Sequence, residues 1–217
     1  MSVTDVWSVD PRIGRGTHLV AESTSSEGVE VAAEAARVAA RDLVTLGRPA
    51  RVVLLRAIAA RIVERGDKLI GIADRETALG VERLTGELKR TVGQLQMFAD
   101  VVEKGAYLEA VATAARPDVD PPVPDLRRML VPLGPVMVFG ASNFPFAFSV
   151  LGGDTAAALA AGCSVLVKCH SGHPETSTLM IEAWRQAADD VGAPEDSVQL
   201  VFGRAAGRRL VDDHAER

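Results

Sequence analysis

Apolar positions fall into two regimes along the chain. From Glu27 onward, Val29, Ala32, Ala33, Ala36, Ala40, Leu43 and Val44 recur at helical spacing. Gly47 and Pro49 predict a stop and a fresh start, since glycine favours a helix end and proline fits a first turn. The stretch "RVVLLRAIAARIVERG" predicts a second amphipathic helix ending at Gly66. A third is predicted over "DKLIGIADRETAL", with Asp67 as its N-cap, and a fourth over "GELKRTVGQLQMFADVVEKG". Residues 1–26 show no clear period and are expected to be irregular.

Beyond "ARPDVDPPVPDL", a proline- and aspartate-rich connector, the period shortens. "RRMLVPLG" predicts a short extended segment, and "PVMVFG", "SVLVKC" and "DSVQLVFG" predict buried strands. Between them, "PFAFSVLGGDTAAALAAG" is helix-like with glycines inside it. "PETSTLMIEAWRQAADDVG" predicts a helix from Pro174 to Gly192, and "RAAGRRLVDDHAER" starts another. Strands alternating with helices at this spacing imply crossover units and a parallel sheet. The expectation is an α/β protein: a helical part over 1–110, a connector with an extended strand over 111–135, and a parallel-sheet region over 136–217.

Composition narrows the function classes. A 47% hydrophobic content suits a buried core, and a net charge of −5 without a basic run argues against nucleic acid or an anionic membrane as partner. Lys68, Lys89, Lys104 and Lys168 are the only lysines. The uncharged stretch from Met129 to Gly153 is long enough to suggest a membrane span, but Pro132, Pro135, Gly140, Asn143 and Pro145 break it into a strand, a turn and a buried helix. The start "MSVTDVWSVDPRIGR" lacks an apolar signal core, so a cytoplasmic location is the default expectation.

Asn143 lies just past a strand end, where a side-chain amide can point into the cleft above a sheet and donate to a developing oxyanion without changing charge. The competing reading is an Asx turn or a helix cap before Phe144 and Pro145. Lys168 ends "SVLVK"; its ammonium must be paired, exposed, or bound to a ligand anion or hydroxyl. Cys163 and Cys169 fit small buried hydrophobes better than nucleophiles, and they suggest neither a disulfide framework nor a zinc spacing. His170 and His173 are three apart with no further ligand cluster, so no metal is expected. Neither a G-x-G-x-x-G fingerprint nor a P-loop occurs.

The segment "GPVMVFGASNFPFAFSVLGGDTAAALAAGCSVLVKCHSGHP" resembles the aldehyde dehydrogenase superfamily, and "RETALGVERLTGELKRTVGQLQMFADVV" resembles its helical N-terminal part. The likeness is nearest to the branch holding α-ketoglutarate semialdehyde (2,5-dioxovalerate) and NADP-linked fatty aldehyde dehydrogenases, and it runs from about residue 5 onward. It implies an incomplete Rossmann-like parallel sheet of that fold. It also implies that Asn143 is the oxyanion amide and that Lys168 contacts the adenosine ribose. The cofactor contacts it implies are at Ala141, Ser142, Lys168, His170 and Ser171. Ser171 stands where NAD-preferring members carry a glutamate, so NADP is expected to be accepted, with NAD as the other possibility. The family's phosphate-contacting "F-T-G-S" turn, general-base glutamate and nucleophilic cysteine are expected to lie beyond Arg217. The resemblance therefore implies NAD(P)-dependent oxidation of an aldehyde, with 2,5-dioxovalerate and a long-chain aldehyde both left open. The isolated chain is expected to be inactive, and to be a homo-oligomer or to depend on a missing C-terminal part. The alternative is a non-catalytic nucleotide-binding or partner-docking module.

Overall fold

The computed structural model describes residues 5–214. Its first element departs from the expectation of irregular structure. β1 (Asp5–Asp10) and β2 (Arg15–Glu22) form an antiparallel hairpin with two register shifts. Its turn is closed on Asp10, whose carbonyl accepts from the Ile13 and Gly14 amides and whose side chain accepts from the Arg12 amide. The hairpin escapes a periodicity reading because only Ser8 in it is buried, so no apolar alternation marks it.

α1 (Ser26–Glu64) is two helices joined end to end. Gly47, at φ 83° and ψ 170°, breaks the ladder, and Pro49 opens the second half, as expected. The Ser25 side chain caps the start by accepting from the Gly28 amide. α2 (Gly66–Thr77) follows at once, and its cap position is Arg65. Asp67 therefore sits in the first turn, where its charge complements the helix dipole, and is not the N-cap that was expected. α3 (Val81–Lys104) ends at Gly105 in the left-handed region.

β3 (Val111–Thr113) and β4 (Leu126–Arg128) pair antiparallel across the proline-rich connector, and both are exposed. β5 (Val136–Phe139), β6 (Val165–Lys168) and β7 (Val198–Val201) form a parallel sheet in that order. α4 (Gly153–Ala161) connects β5 to β6, and α5 (Pro174–Val191) connects β6 to β7. The helix-like stretch from Pro145 is thus helical only from Gly153; Pro145 to Leu151 is a chain of turns. A Cβ at Gly152 would sit 2.4 Å from the Ala147 carbonyl oxygen, so the chain there can close on itself only around glycine.

Side chains alternate across the sheet. Val138, Val165, Val167 and Val198 join the main core with α3, α4, α5 and the second half of α1. Leu166 and Val201 face the other way, against Val29, Ala32 and Ala36 of α1 and against Ala206 and Leu210 of α6 (Arg204–His214); Met137 packs on this second core. α6 therefore leaves β7 onto the face opposite to α4 and α5. Among the described residues no strand pairs with the outer edge of β5, and no helix is long and apolar enough to cross a membrane.

Candidate functional site

The register Phe139↔Lys168 brings the carboxyl ends of β5 and β6 side by side. Gly140 continues the pairing by donating to the Lys168 carbonyl at 3.0 Å. A Cβ there would lie 3.2 Å from Ser149 Oγ and 3.3 Å from the His170 nitrogen, so a side chain would force these neighbours apart. From Gly140 the chain turns outward. Ala141 is tied twice: its N–H donates to the Phe148 carbonyl at 2.8 Å, and its carbonyl lies 2.8 Å from His173 Nε2. Ser142 and Asn143 are exposed.

Asn143 is held through its backbone. Its carbonyl accepts from the Arg83 guanidinium at 2.7 Å, whereas its side-chain amide has no hydrogen-bond partner among the described residues. No helix begins at Asn143; α4 starts ten residues later, with Gly152 at its cap position. The helix-cap alternative is thereby corrected, because the local backbone forms turns and offers no first-turn N–H ladder to cap. The N–H groups of Phe146 and Ala147 donate to one oxygen of the buried Glu87 at 2.8 and 2.9 Å. Phe144 and Phe148 meet edge to face with centroids 5.2 Å apart.

At the end of β6, Lys168 is half-buried. Its stem lies where a Cβ on Gly207 of α6 would meet it at 3.0 Å, and it has no ion pair among the described residues. Cys169 follows, 2% exposed, with its thiol pushed up to about 12 chiefly by burial. Cys163 is also buried. Both therefore sit as the small buried side chains that the sequence suggested. His170 is partly exposed and stacks on His173 with centroids 5.4 Å apart. Its Nδ1 accepts from the Gly172 amide, and Ser171 between them is exposed. His173 is buried, with Nε2 donating to Ala141 and Nδ1 facing Ser177 Oγ at 3.3 Å. Both imidazoles are pushed below the ordinary histidine range, first by burial. Through Nε2, His173 ties the β5 turn to the start of α5.

Two carboxylates from the helical part reach into this region, and the sequence reading missed both. Glu76 of α2 accepts from the Glu175 amide at 2.9 Å, the Thr176 amide at 2.8 Å and Thr176 Oγ1 at 2.7 Å. It therefore occupies the amino end of α5, and its burial raises its pKa. Glu87 does the equivalent for the turn after Asn143. The available signal was a glutamate on the apolar stripe of each helix, a position that favours burial only when a partner waits there. The structure thus brings Ala141, Ser142, Asn143, Lys168, His170 and Ser171 to the ends of two adjacent strands. A groove of about 720 Å³ lies elsewhere, between α1, α6 and β5.

Three comparisons bear on this arrangement. The family model described as "Aldehyde dehydrogenase family" matches residues 4–216. Alpha-ketoglutaric semialdehyde dehydrogenase 2 of Azospirillum brasilense is 53% identical over 169 residues, which is 76% of this chain and 32% of the relative. Alpha-ketoglutaric semialdehyde dehydrogenase of Acinetobacter baylyi is 42% identical over 90% of this chain and 37% of the relative. The chain thus spans about a third of the length of these relatives. Among solved structures, glyceraldehyde-3-phosphate dehydrogenase GapN from Methanocaldococcus jannaschii, complexed with NADP, superposes with a TM-score of 0.82 at 19% identity, covering 99% of this chain and 45% of that one. A NAD-dependent benzaldehyde dehydrogenase from Corynebacterium glutamicum does so with a TM-score of 0.78 at 19% identity, covering 97% and 43%. At such identities these two establish the shared fold.

Proposed function

The chain belongs to the aldehyde dehydrogenase family, and we propose that it supplies part of the cofactor floor and one oxyanion donor of an enzyme that oxidises α-ketoglutaric semialdehyde with NADP. The observation that carries the reading is topological. α4 and α5 cover one face of the sheet and α6 the other. Crossovers between parallel strands are right-handed, so a strand following α6 would return to the open side of β5. The carboxyl end of β5 is then the switch point, where ligands bind in open α/β sheets, and Gly140 and Asn143 stand there.

The residues present fit a nicotinamide dinucleotide in a particular way. The amino end of α5 is closed to phosphate, because a carboxylate already takes its N–H groups. What β6 offers is the Lys168 ammonium, without an ion pair among the described residues, and the exposed Ser171, which suit ribose hydroxyls and put no carboxylate at position 171 against a 2′-phosphate. Bound there, the cofactor would accept hydride from the substrate carbon. Asn143 would donate its amide N–H to the substrate oxygen as negative charge develops on it. With both thiols buried, the isolated chain should not oxidise aldehydes.

Dependence on further polypeptide follows from the same edge. Among the described residues no strand pairs with the outer edge of β5, and Leu130, Val131 and Leu133, just before it, are 56%, 70% and 92% exposed. Light scattering of the isolated chain should show an oligomer or an aggregate. A monodisperse monomer of 22.9 kDa with a cooperative melt would instead favour a self-sufficient nucleotide-binding module.

The test joins this chain to the portion of the Azospirillum brasilense relative that it does not span. The joined protein should reduce NADP in the presence of α-ketoglutaric semialdehyde. Asn143→Ala should lower kcat by roughly 10²–10³, the usual cost of one oxyanion donor. Ser171→Glu should move the NADP-to-NAD ratio of kcat/KM toward NAD by about tenfold or more, since tenfold needs only about 1.4 kcal/mol. Unchanged kcat in the first variant would remove Asn143 from the chemistry, and an unchanged ratio in the second would remove Ser171 from the cofactor site.

A further inference from the structure

The turn that carries Asn143 is held only in part by its own hydrogen bonds, Ala141 N–H to the Phe148 carbonyl and Phe148 N–H to the Phe144 carbonyl. Between Pro145 and Leu151 it forms no helix, and the buried Phe146 and Ala147 N–H groups need partners from elsewhere. α3 provides them from one face. Arg83, Glu87 and Arg90 are spaced four and three apart, which aligns them along a single stripe. Arg83 donates to the Asn143 carbonyl at 2.7 Å, and its guanidinium lies 5.2 Å from the Phe144 ring centroid. Glu87, 6% exposed, accepts from the Phe146 and Ala147 amides. Arg90 lies 5.2 Å from the Phe148 ring centroid.

We propose that this stripe is a clamp that positions the Asn143 amide, with Glu87 and Arg83 as its positioning residues. Two further observations give the clamp its meaning. Asn143 has its backbone carbonyl engaged and its side chain free, so its amide is aimed through the main chain rather than by its own contacts. Only one Glu87 oxygen is used; Oε2 is buried without a partner among the described residues. A group retained for stability alone would be expected to satisfy both oxygens, because an unpaired buried one is costly. The contact that Glu87 does make is a two-N–H grip on one atom, which fixes the turn's direction as well as its position. The functional sense of the clamp rests on the reading of Asn143 as an oxyanion donor; its existence does not.

A spectroscopic test is available because Asn143 is the sole asparagine of the chain. Labelling with [¹⁵N]asparagine gives one backbone amide and one side-chain NH₂ pair, which need no assignment and can be followed in solution or, for a self-associated chain, by magic-angle spinning. Glu87→Leu should shift and broaden both signals. Glu87→Gln, which keeps one carbonyl acceptor for the two N–H groups, should restore the wild-type positions while still lowering the melting temperature, since its amide has no acceptor beside it. Leu54→Ala, in the distant α1 core, should lower the melting temperature and leave both signals in place. If Glu87→Leu does not fold, Arg83→Leu at the exposed end of the stripe gives the same reading. Signals unmoved by loss of Glu87 or Arg83, or moved as far by Leu54→Ala, would overturn the clamp. Because no turnover is measured, that failure would leave the oxyanion reading standing, and failure of the joined enzyme would leave the clamp standing.

Discussion

β5 and β6 end at neighbouring register positions, yet the chain leaves them by opposite constructions. After β5 it runs through turns from Gly140 to Gly152, held from outside by α3, with Asn143 exposed at its bend. After β6 it passes through buried Cys169 and His173 directly into α5, whose first N–H groups Glu76 has already taken. One exit presents its polar group on an open turn braced by α3. The other runs at once into a helix whose first N–H groups are braced by Glu76 of α2, with Ser171 left exposed on the way. Recognition of an anion by a helix terminus, common in α/β proteins, is therefore unavailable at α5. The exposed amide and the Lys168 ammonium are what these two strand ends offer a ligand.

The largest effect should come from removing the buried plug. Glu76→Ala orphans the Glu175 and Thr176 amides and the Thr176 hydroxyl. Each buried donor left without a partner costs about 1–3 kcal/mol, so unfolding in urea should show the chain losing much of its stability. Should Glu76→Ala prove nearly neutral, water reaches the amino end of α5, and that end becomes a candidate anion site after all. The contrast between the two exits would then disappear.

How much of this was legible in the sequence follows the same division. The helices, the parallel sheet and the break at Gly47 and Pro49 were readable, because each rests on a local period or a backbone constraint. The strand ends carrying Asn143 and Lys168 were readable for the same reason. The β1–β2 hairpin was not, since its strands are mostly half-exposed and carry no apolar alternation. Nor was the short span of α4: Pro145 to Leu151 has the composition of a helix, and only the approach of Gly152 to the Ala147 carbonyl shows why the chain turns instead. Glu76 and Glu87 were invisible for a different reason. Their partners lie 99 and 59 residues away along the chain, respectively, and long-range pairing leaves no local trace. Burial of His173 was likewise hidden, because its partner Ala141 is a backbone carbonyl.

A second, smaller effect separates the exits by pH. Burial, and then the charge of Lys168, push His173 below the ordinary imidazole value of 6.5. A depressed value means the folded state favours the neutral ring, so this contribution is present above pH 6.5 and is lost as pH falls below it. His170 is shifted in the same direction, whereas Glu76, raised by burial, contributes stability that is lost as pH rises above 4.5. The difference between wild type and His173→Gln cancels the terms they share. Glutamine can still donate to the Ala141 carbonyl, so melting curves of the two proteins should converge as pH falls from 6.5, by at most about 1.4 kcal/mol per pH unit for a single proton. Parallel curves would mean that the buried ring does not titrate on its own and that the β6 exit is less closed than it looks.

The smallest effect is the one that discriminates most sharply. Asn143→Ala removes an exposed side chain with no hydrogen bond among the described residues. Surface changes of this kind usually stay within about ±0.5 kcal/mol. A capping or Asx-turn asparagine would cost about 1 kcal/mol instead. Unfolding of the joined protein at several urea concentrations resolves the two, and Glu87→Ala supplies the scale, since it orphans two buried N–H groups in the same turn. A stable Asn143→Ala beside a destabilised Glu87→Ala would show that the turn's rigidity lives in α3 and that its polar tip is free for a ligand. A loss at Asn143 comparable to a cap would place the amide in the turn's own hydrogen bonding, and the β5 exit would then have no free amide to offer a ligand.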